Sequence, residues 1–309
     1  KLITVCSCFF DEVALMPESF VNQATGRCSV EGSKFFFNCN PGAPFHWFKK
    51  KWIDEAEKKN LLYLHFTMDD NLSLSEKIKA RYKAMYTGVF YNRYILGQWV
   101  TASGAIYPMF NPEIHTVQMK RNWTRIFIAG DFGIQNATTF GIFGYYAPEK
   151  RYHQIASYYH NGREEGQKTV KEYVSDLKNF IRENMVMPEY IAIDPSAAPL
   201  RVELLKDEYF SRHNIIIIAA KNNVEIGIQM VSYLLNINKF TLDPSCIHDI
   251  EEFGSYVWDS DKLDKGKEEV VKINDHAMDK IRYALMTDTT IHRTFDRELK
   301  LFSGKGARE

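Results

Sequence analysis

Residues 125–146 read RIFIAGDFGIQNATTFGIFGYY, an apolar run from Ile126 to Ala129 that ends on a bare carboxylate, Asp131, before Phe132, Gly133 and a second apolar run. A carboxylate at the edge of a core costs several kcal/mol unless something charged or hydrogen-bonding compensates it. A bound metal ion is one such compensator. Working outward, strands at 125–130, 138–146 and 151–159 follow one another with turn-sized gaps, one of them Ala147-Pro148-Glu149-Lys150, which predicts an antiparallel meander. The pattern then alternates: a helix over 166–184, the strand YIAID at 190–194, a helix over 198–210, the strand NIIIIAA at 214–220 and a helix over 224–236. Three antiparallel strands followed by helix, strand, helix, strand make a mixed α/β sheet flanked by helices. Two features close the chain, a hairpin in SYVWDSDKLDKGKEEVVKI (255–273) and a helix from Asp275 to Met286.

Upstream the pattern changes near residues 100–122. Before that point lie an apolar run ending in Asp11 and Glu12, a strand-like KFFFNCNPG at 34–42, and a helical stretch, SLSEKIKARYKAMYTGVFYNRYIL, at 73–96. Ser73 or Ser75 can cap that helix, and Ile78, Tyr82 and Met85 recur at helical spacing.

The 309 residues suffice for one large or two ordinary domains, and 45% hydrophobic with 14% aromatic content supplies real cores. Lys+Arg and Asp+Glu balance at 39 each, so the whole-chain charge gives no support to a passive polyanion binder, and nucleic-acid contact has to come from a local patch. The five cysteines (Cys6, Cys8, Cys28, Cys39, Cys246) lack CxxC spacing, which argues against a disulfide framework or structural zinc and fits a reducing compartment. KLITVCSCFF is too short to span a membrane and reads as a core strand, while Lys1 in place of Met reads as a processed or truncated start.

Three acids occupy comparable places: Asp131 ends the first strand of the meander, Asp194 ends the fourth strand, and Asp279 lies on the last helix. If the first and fourth strands are neighbours, the first two stand side by side and the helix supplies the third. Like charges that close need raised pKa values or divalent cations, and all-oxygen ligands favour Mg²⁺ or Mn²⁺. In NDHAMDKIRYAL, His276 and Asp279 are three apart and share a helix face, so the imidazole can orient a water, ligate a metal or protonate a leaving oxygen. Asp275, at the helix start, reads as a cap. A single strand-terminal aspartate is more often a turn or cap residue than a ligand, and Pro195 strengthens that reading for Asp194. It is the set of three that points to chemistry.

Phe9-Phe10-Asp11-Glu12 is the arrangement by which a Walker B element holds Mg²⁺ with its Asp and polarises water with its Glu. No GxxxxGK[ST] loop accompanies it: GSK at 32–34 and GKG at 304–306 lack the spacing.

Together, DEVALMPES (11–19), FFFNCNPG (35–42), HFTMDDN (65–71), YILGQWV with GAIYPMF (94–110), GDFG (130–133), AIDPSA (192–197) and NDHAMDKIRY (274–283) resemble, in order, the large terminase subunit of tailed bacteriophages, the DNA-packaging motor. The resemblance implies an incomplete P-loop ATPase segment over 1–100, a linker over 101–122 and an RNase H-like nuclease domain over 123–309. It implies Asp11 and Glu12 as the Walker B pair, Asn38 to Gly42 as the motif coupling hydrolysis to movement, and Asp131, Asp194 and Asp279 as metal ligands with His276 nearby. The expected reaction is two-metal hydrolysis of concatemeric duplex DNA, with Mg²⁺ or Mn²⁺ as the cofactor and ATP used only in the full-length protein. Expected partners are double-stranded DNA, the small terminase subunit and the portal protein, with no membrane, in the cytoplasm of the bacterial host. Lys262, Lys265 and Lys267 in the hairpin are candidate DNA contacts. The rival readings are an RNase H-like resolvase or recombinase, and a structural packaging adaptor in which the acids merely cap helices.

Overall fold

Two short apolar runs begin the chain's first unit. SCFF forms β1 (Ser7–Phe10), and after helix α1 (Glu18–Thr25) KFFF forms β2 (Lys34–Phe37), paired in parallel with Phe10 opposite Phe37. The computed structural model describes residues 6–133, 136–264, 267–272 and 275–288. Phe10, Val13, Val21 and Phe48 form a small core, with Phe37 and Trp52 packed against it. The helix expected over 73–96 is two helices, α2 (Glu76–Met85) and α3 (Gly88–Tyr94). Tyr86 and Thr87 are extended between them, and Gly88 takes φ of 54°, a turn that a residue with a Cβ rarely makes. Ser75, rather than Ser73, is the cap: its side chain accepts from the Ile78 N–H.

The second unit begins near Ala105. A single helical turn, α4 (Pro112–His115), capped by Asn111, precedes β3 (Arg125–Asp131), β4 (Ala137–Tyr146) and β5 (Arg151–Asn161). These three strands form the antiparallel meander, with Ile155 as an extra residue on β5 where the register shifts. Then come α5 (Val170–Glu183), β6 (Tyr190–Ile193), α6 (Ala198–Lys206), α7 (Glu208–Arg212), β7 (Ile216–Ala219) and α8 (Val224–Asn236). The helix expected over 198–210 breaks at Asp207, whose side chain caps α7 by accepting from the Tyr209 N–H. Two further elements, β8 (Phe240–Leu242) and α9 (Ile247–Ser255), were not foreseen.

Among the described residues, the hairpin expected at 255–273 is reduced to one antiparallel bridge between Trp258 and Val270, and Ser260–Asp264 form a helix, α10. The described residues of 258–270 group with the first unit, where Glu268 pairs with Arg93 and accepts from the Ala102 N–H at 2.8 Å. The chain then returns to the second unit for α11 (His276–Thr287).

Six strands make one sheet in the order β7-β6-β3-β4-β5-β8, with β6, β7 and β8 each joined to a neighbour in parallel. One face of the sheet packs on α5, α6 and α7 through Ile128, Phe140, Ile142, Ile191 and Ile193, with Leu177, Leu200 and Phe210 opposite. The other face carries α11, which packs on β3, β4 and β6 and is flanked by α8 and α9. From Ala277 to Thr287 every residue of α11 is buried, so this helix is the centre of a layer rather than a surface helix.

Candidate functional site

The period of two along a strand decides where the first two acids lie. On β3, Ile126 and Ile128 face the α5–α7 layer, so Asp131 belongs to the opposite face with Phe127 and Ala129. On β6, Ile191 and Ile193 face that same layer, which puts Ala192 and the following Asp194 on the α11 side. The strands are parallel neighbours with Gly130 opposite Ile193, and the Asp194 N–H donates to the Gly130 carbonyl at 3.4 Å. Asp131 and Asp194 therefore leave adjacent strand ends on one face.

Helix α11 brings the remaining groups. His276 Nδ1 lies 2.8 Å from Asp131 Oδ2, and the His276 carbonyl accepts from Thr139 Oγ1 at 3.3 Å. One turn on, the Asp279 carboxylate is held by the Arg282 guanidinium and lies 3.4 Å from the Lys272 ammonium, which also pairs with Asp275 at 2.8 Å. Asp194 accepts from the backbone N–H and the hydroxyl of Ser196.

Burial pushes the Asp131 carboxyl above its usual range; His276 opposes this, and the charges of Asp279 and Asp194 add to it. For His276 burial pulls the pKa down, but the hydrogen bond and charge of Asp131 outweigh it, and the net shift is upward. Both shifts are upward, and each group's pKa is tied to the other through the His276–Asp131 contact.

What holds α11 in place was not legible in the sequence. Asp275 occupies the N-cap position but makes no side-chain cap bond. Glu252 on α9 does so instead, accepting from the N–H groups of Ala277 at 2.7 Å and Met278 at 3.4 Å. Desolvation pushes Glu252 up to about 7. One turn deeper, Lys280 is fully buried against Asp249 at 2.7 Å and Ser157 at 2.7 Å, and Gln154 donates to Asp249 at 2.9 Å. Gly141 on β4 permits this approach, since a Cβ there would meet the Phe143 ring at 2.7 Å and Lys280 Cδ at 3.2 Å. The one available sequence signal was that strand-interior glycine.

In the first unit Asp11 and Glu12 directly follow β1, and Glu12 adopts a left-handed conformation with φ of 55°. Its N–H donates to Asn38 Oδ1 at 2.8 Å, and Asn40 Nδ2 reaches its carboxylate at 3.5 Å. Burial raises the Glu12 carboxyl, with the Asn40 bond opposing. Asn38 follows β2 directly, so the two strand ends are tied by side chains as well as by pairing. Of the candidate DNA-contacting lysines, Lys262 lies 3.5 Å from Glu269, Lys267 is exposed, and Lys265 lies outside the described residues.

Asp131, Asp194 and Asp279 are oxygen donors suited to a hard divalent cation, and the Asp131 carboxyl is raised first by burial, with the charges of Asp279 and Asp194 adding to it. Among the described residues, no group of three His, Cys, Asp or Glu side chains converges as placed to hold an ion. Asp279 is turned to Arg282 and Lys272, and Asp194 to Ser196, so metal binding needs those side chains to exchange partners.

Residues 131–287 match the family described as terminase RNAseH like domain, and residues 3–114 match terminase large subunit, T4likevirus-type, N-terminal. Among solved structures, the chain is similar to the large terminase from a thermophilic bacteriophage, with 46% identity over 93% of this chain and 69% of that one, and a TM-score of 0.85. Structures of that phage protein in complex with ATP-γ-S and with ADP align with TM-scores of 0.84 and 0.84 at 46% identity, each covering 93% of this chain and respectively 71% and 70% of theirs. No curated protein matched the chain.

Proposed function

The chain belongs to the large terminase family of DNA-packaging proteins, and we propose that its second unit is a metal-dependent endonuclease that cuts concatemeric duplex DNA during phage genome packaging. The observation that carries this reading is the pair of adjacent strand ends, Asp131 and Asp194, facing a buried helix that presents His276 and Asp279. Asp131, Asp194 and Asp279 would hold two Mg²⁺ or Mn²⁺ ions. Bound ions would activate the attacking water and stabilise the leaving 3′ oxygen. His276, oriented by Asp131, would pass a proton at the rim of the site. Lys272, more than half exposed and beside Asp279, would meet a phosphate if Asp279 turned to a metal.

Asp11 and Glu12 would serve ATP hydrolysis as a Walker B pair together with a phosphate-binding loop that these 309 residues do not contain, so the 309-residue chain alone is not expected to hydrolyse ATP. The nucleotide complexes of the thermophilic phage protein support ATP as the nucleotide of a complete relative. The small terminase subunit, the portal protein and the host cytoplasm follow as proposed partners and setting. Among the described residues no helix is long and apolar enough to cross a membrane.

Cleavage of supercoiled plasmid in Mn²⁺ by the parent, and its loss in Asp131→Asn, is the test. Calorimetric Mn²⁺ binding separates a nuclease from a structural adaptor, which would bind none. The resolvase or recombinase reading loses its footing because residues 3–114 match a terminase N-terminal family.

A further inference from the structure

Of the five cysteines, two meet. Cys8 on β1 and Cys28, just beyond the end of α1, place their sulfur atoms 3.2 Å apart, and both thiols point at the same acceptor, the Ala24 carbonyl, at 3.9 Å and 3.8 Å. Both are half-buried, whereas Cys6, two residues earlier in the chain, is exposed. Cys39 is half-buried and Cys246 fully buried, and burial pushes each of those thiols up to about 12. Neither bonds to another sulfur among the described residues.

We propose that Cys8 and Cys28 are a reversible redox pair, closed to a disulfide by a small-molecule disulfide such as oxidised glutathione. A protein thiolate attacks one sulfur of the small disulfide, forming a mixed disulfide and releasing one small thiol. The second protein thiolate then attacks the protein-bound sulfur and releases the other small thiol. Two protein thiols lose two protons and two electrons, and one small disulfide becomes two small thiols. Closure needs the sulfurs to approach by little more than an ångström, since the bond is about 2.05 Å long. The Cys28 thiol is pushed up to about 11, chiefly by desolvation and further by Cys8, so closure is slow at neutral pH. A spacing of 20 residues separates the two cysteines and contains all of α1, so the bridge would fasten that helix to the strand that Asp11 and Glu12 follow. Such a bridge fits a reducing compartment as a transient, oxidant-dependent link rather than a permanent staple.

The test is to incubate the 309-residue protein with oxidised glutathione, block remaining thiols with an alkylating agent in denaturant so that the buried ones react, and read intact mass and a peptide map. Expected are three alkylated cysteines, the five free ones less the bridged two, a Cys8–Cys28 cross-linked peptide, and recovery of all five after dithiothreitol. Cys8→Ser and Cys28→Ser should each abolish the cross-link, while Cys6→Ser should leave it intact. Two serine variants guard against one failing to fold, and a thermal melt of each checks this. Five alkylated thiols after oxidation, a glutathione adduct that never closes, or a bridge through Cys6 overturns the proposal.

Discussion

His276 and Asp131 touch at 2.8 Å across 145 residues of sequence, joining α11 to the end of the first meander strand. Asp131 is 8% exposed, so the contact sits at the boundary between core and solvent, where an imidazole can be both fixed and reached. Under the proposed function a group so placed should affect rate more than metal affinity, because an all-oxygen Mg²⁺ site would gain little from imidazole. His276→Ala should lower plasmid cleavage at saturating Mn²⁺ by roughly 10²- to 10⁴-fold with a nearly unchanged metal titration midpoint. A shifted midpoint with full rate at high metal would make His276 a ligand instead.

Asp131→Asn should abolish cleavage without unfolding the protein, since it changes charge at constant size. The parent carboxyl is raised by burial, so its ionised form weakens the fold as pH climbs above the unfolded value near 4. At neutral pH the variant's melting temperature in the presence of a chelator should equal or exceed the parent's. A parent-like cutting rate would remove Asp131 from the site.

Glu252 offers a cleaner pH test. Its folded pKa of about 7 exceeds the unfolded value of 4.5, so the fold holds the proton more tightly than the unfolded chain does. Stability from this group is complete below about pH 4.5 and is lost as pH rises through about 7, an effect on the order of 3 kcal/mol. Asp249 adds to the shift, Lys280 opposes it, and one Glu252 oxygen has no hydrogen-bond partner among the described residues. Glu252→Gln keeps an acceptor for the Ala277 N–H without the charge. Urea unfolding should find it close to the parent at pH 5 and more stable at pH 8, and an unchanged pH slope would contradict this account.

The buried Lys280–Asp249 pair predicts strong non-additivity. Lys280→Met leaves Asp249 charged and fully buried with Gln154 alone, at a cost of about 3–5 kcal/mol. Adding Asp249→Asn should recover much of that loss in chemical denaturation. If the double variant is as unstable as the sum of the singles, the pair is not coupled as described.

The meander was legible because β3, β4 and β5 are long and their turns are marked by Pro148 and by Gly133. β8 was not, since three residues, Phe240 to Leu242, carry no readable period and owe their extended form to pairing with β5. The helix breaks at Asp207 and at Tyr86–Thr87 are not readable from apolar spacing, which continues across both, whereas the Asp207 cap and the positive φ of Gly88 that divide them are local geometry. At the site, strand-end carboxylates announce themselves by contrast with their apolar neighbours. Glu252 does not: its role depends on α9 meeting the start of α11, 25 residues away, and no spacing rule connects them.

The excursion of residues 258–270 has a practical consequence for dissecting the protein. Because the polypeptide crosses between its two units at 104/105, 257/258 and 270/271, a single cut does not separate them. A fragment starting at Ala105 would carry Glu268 without Arg93 or the Ala102 amide, leaving a dangling loop open to proteases. Yet the roots of that loop already meet, since the Val271 N–H donates to the Val257 carbonyl at 3.0 Å. Replacing 258–270 by a short glycine-rich turn would close the backbone where it is nearly closed, and join the segments of the second unit into one continuous chain.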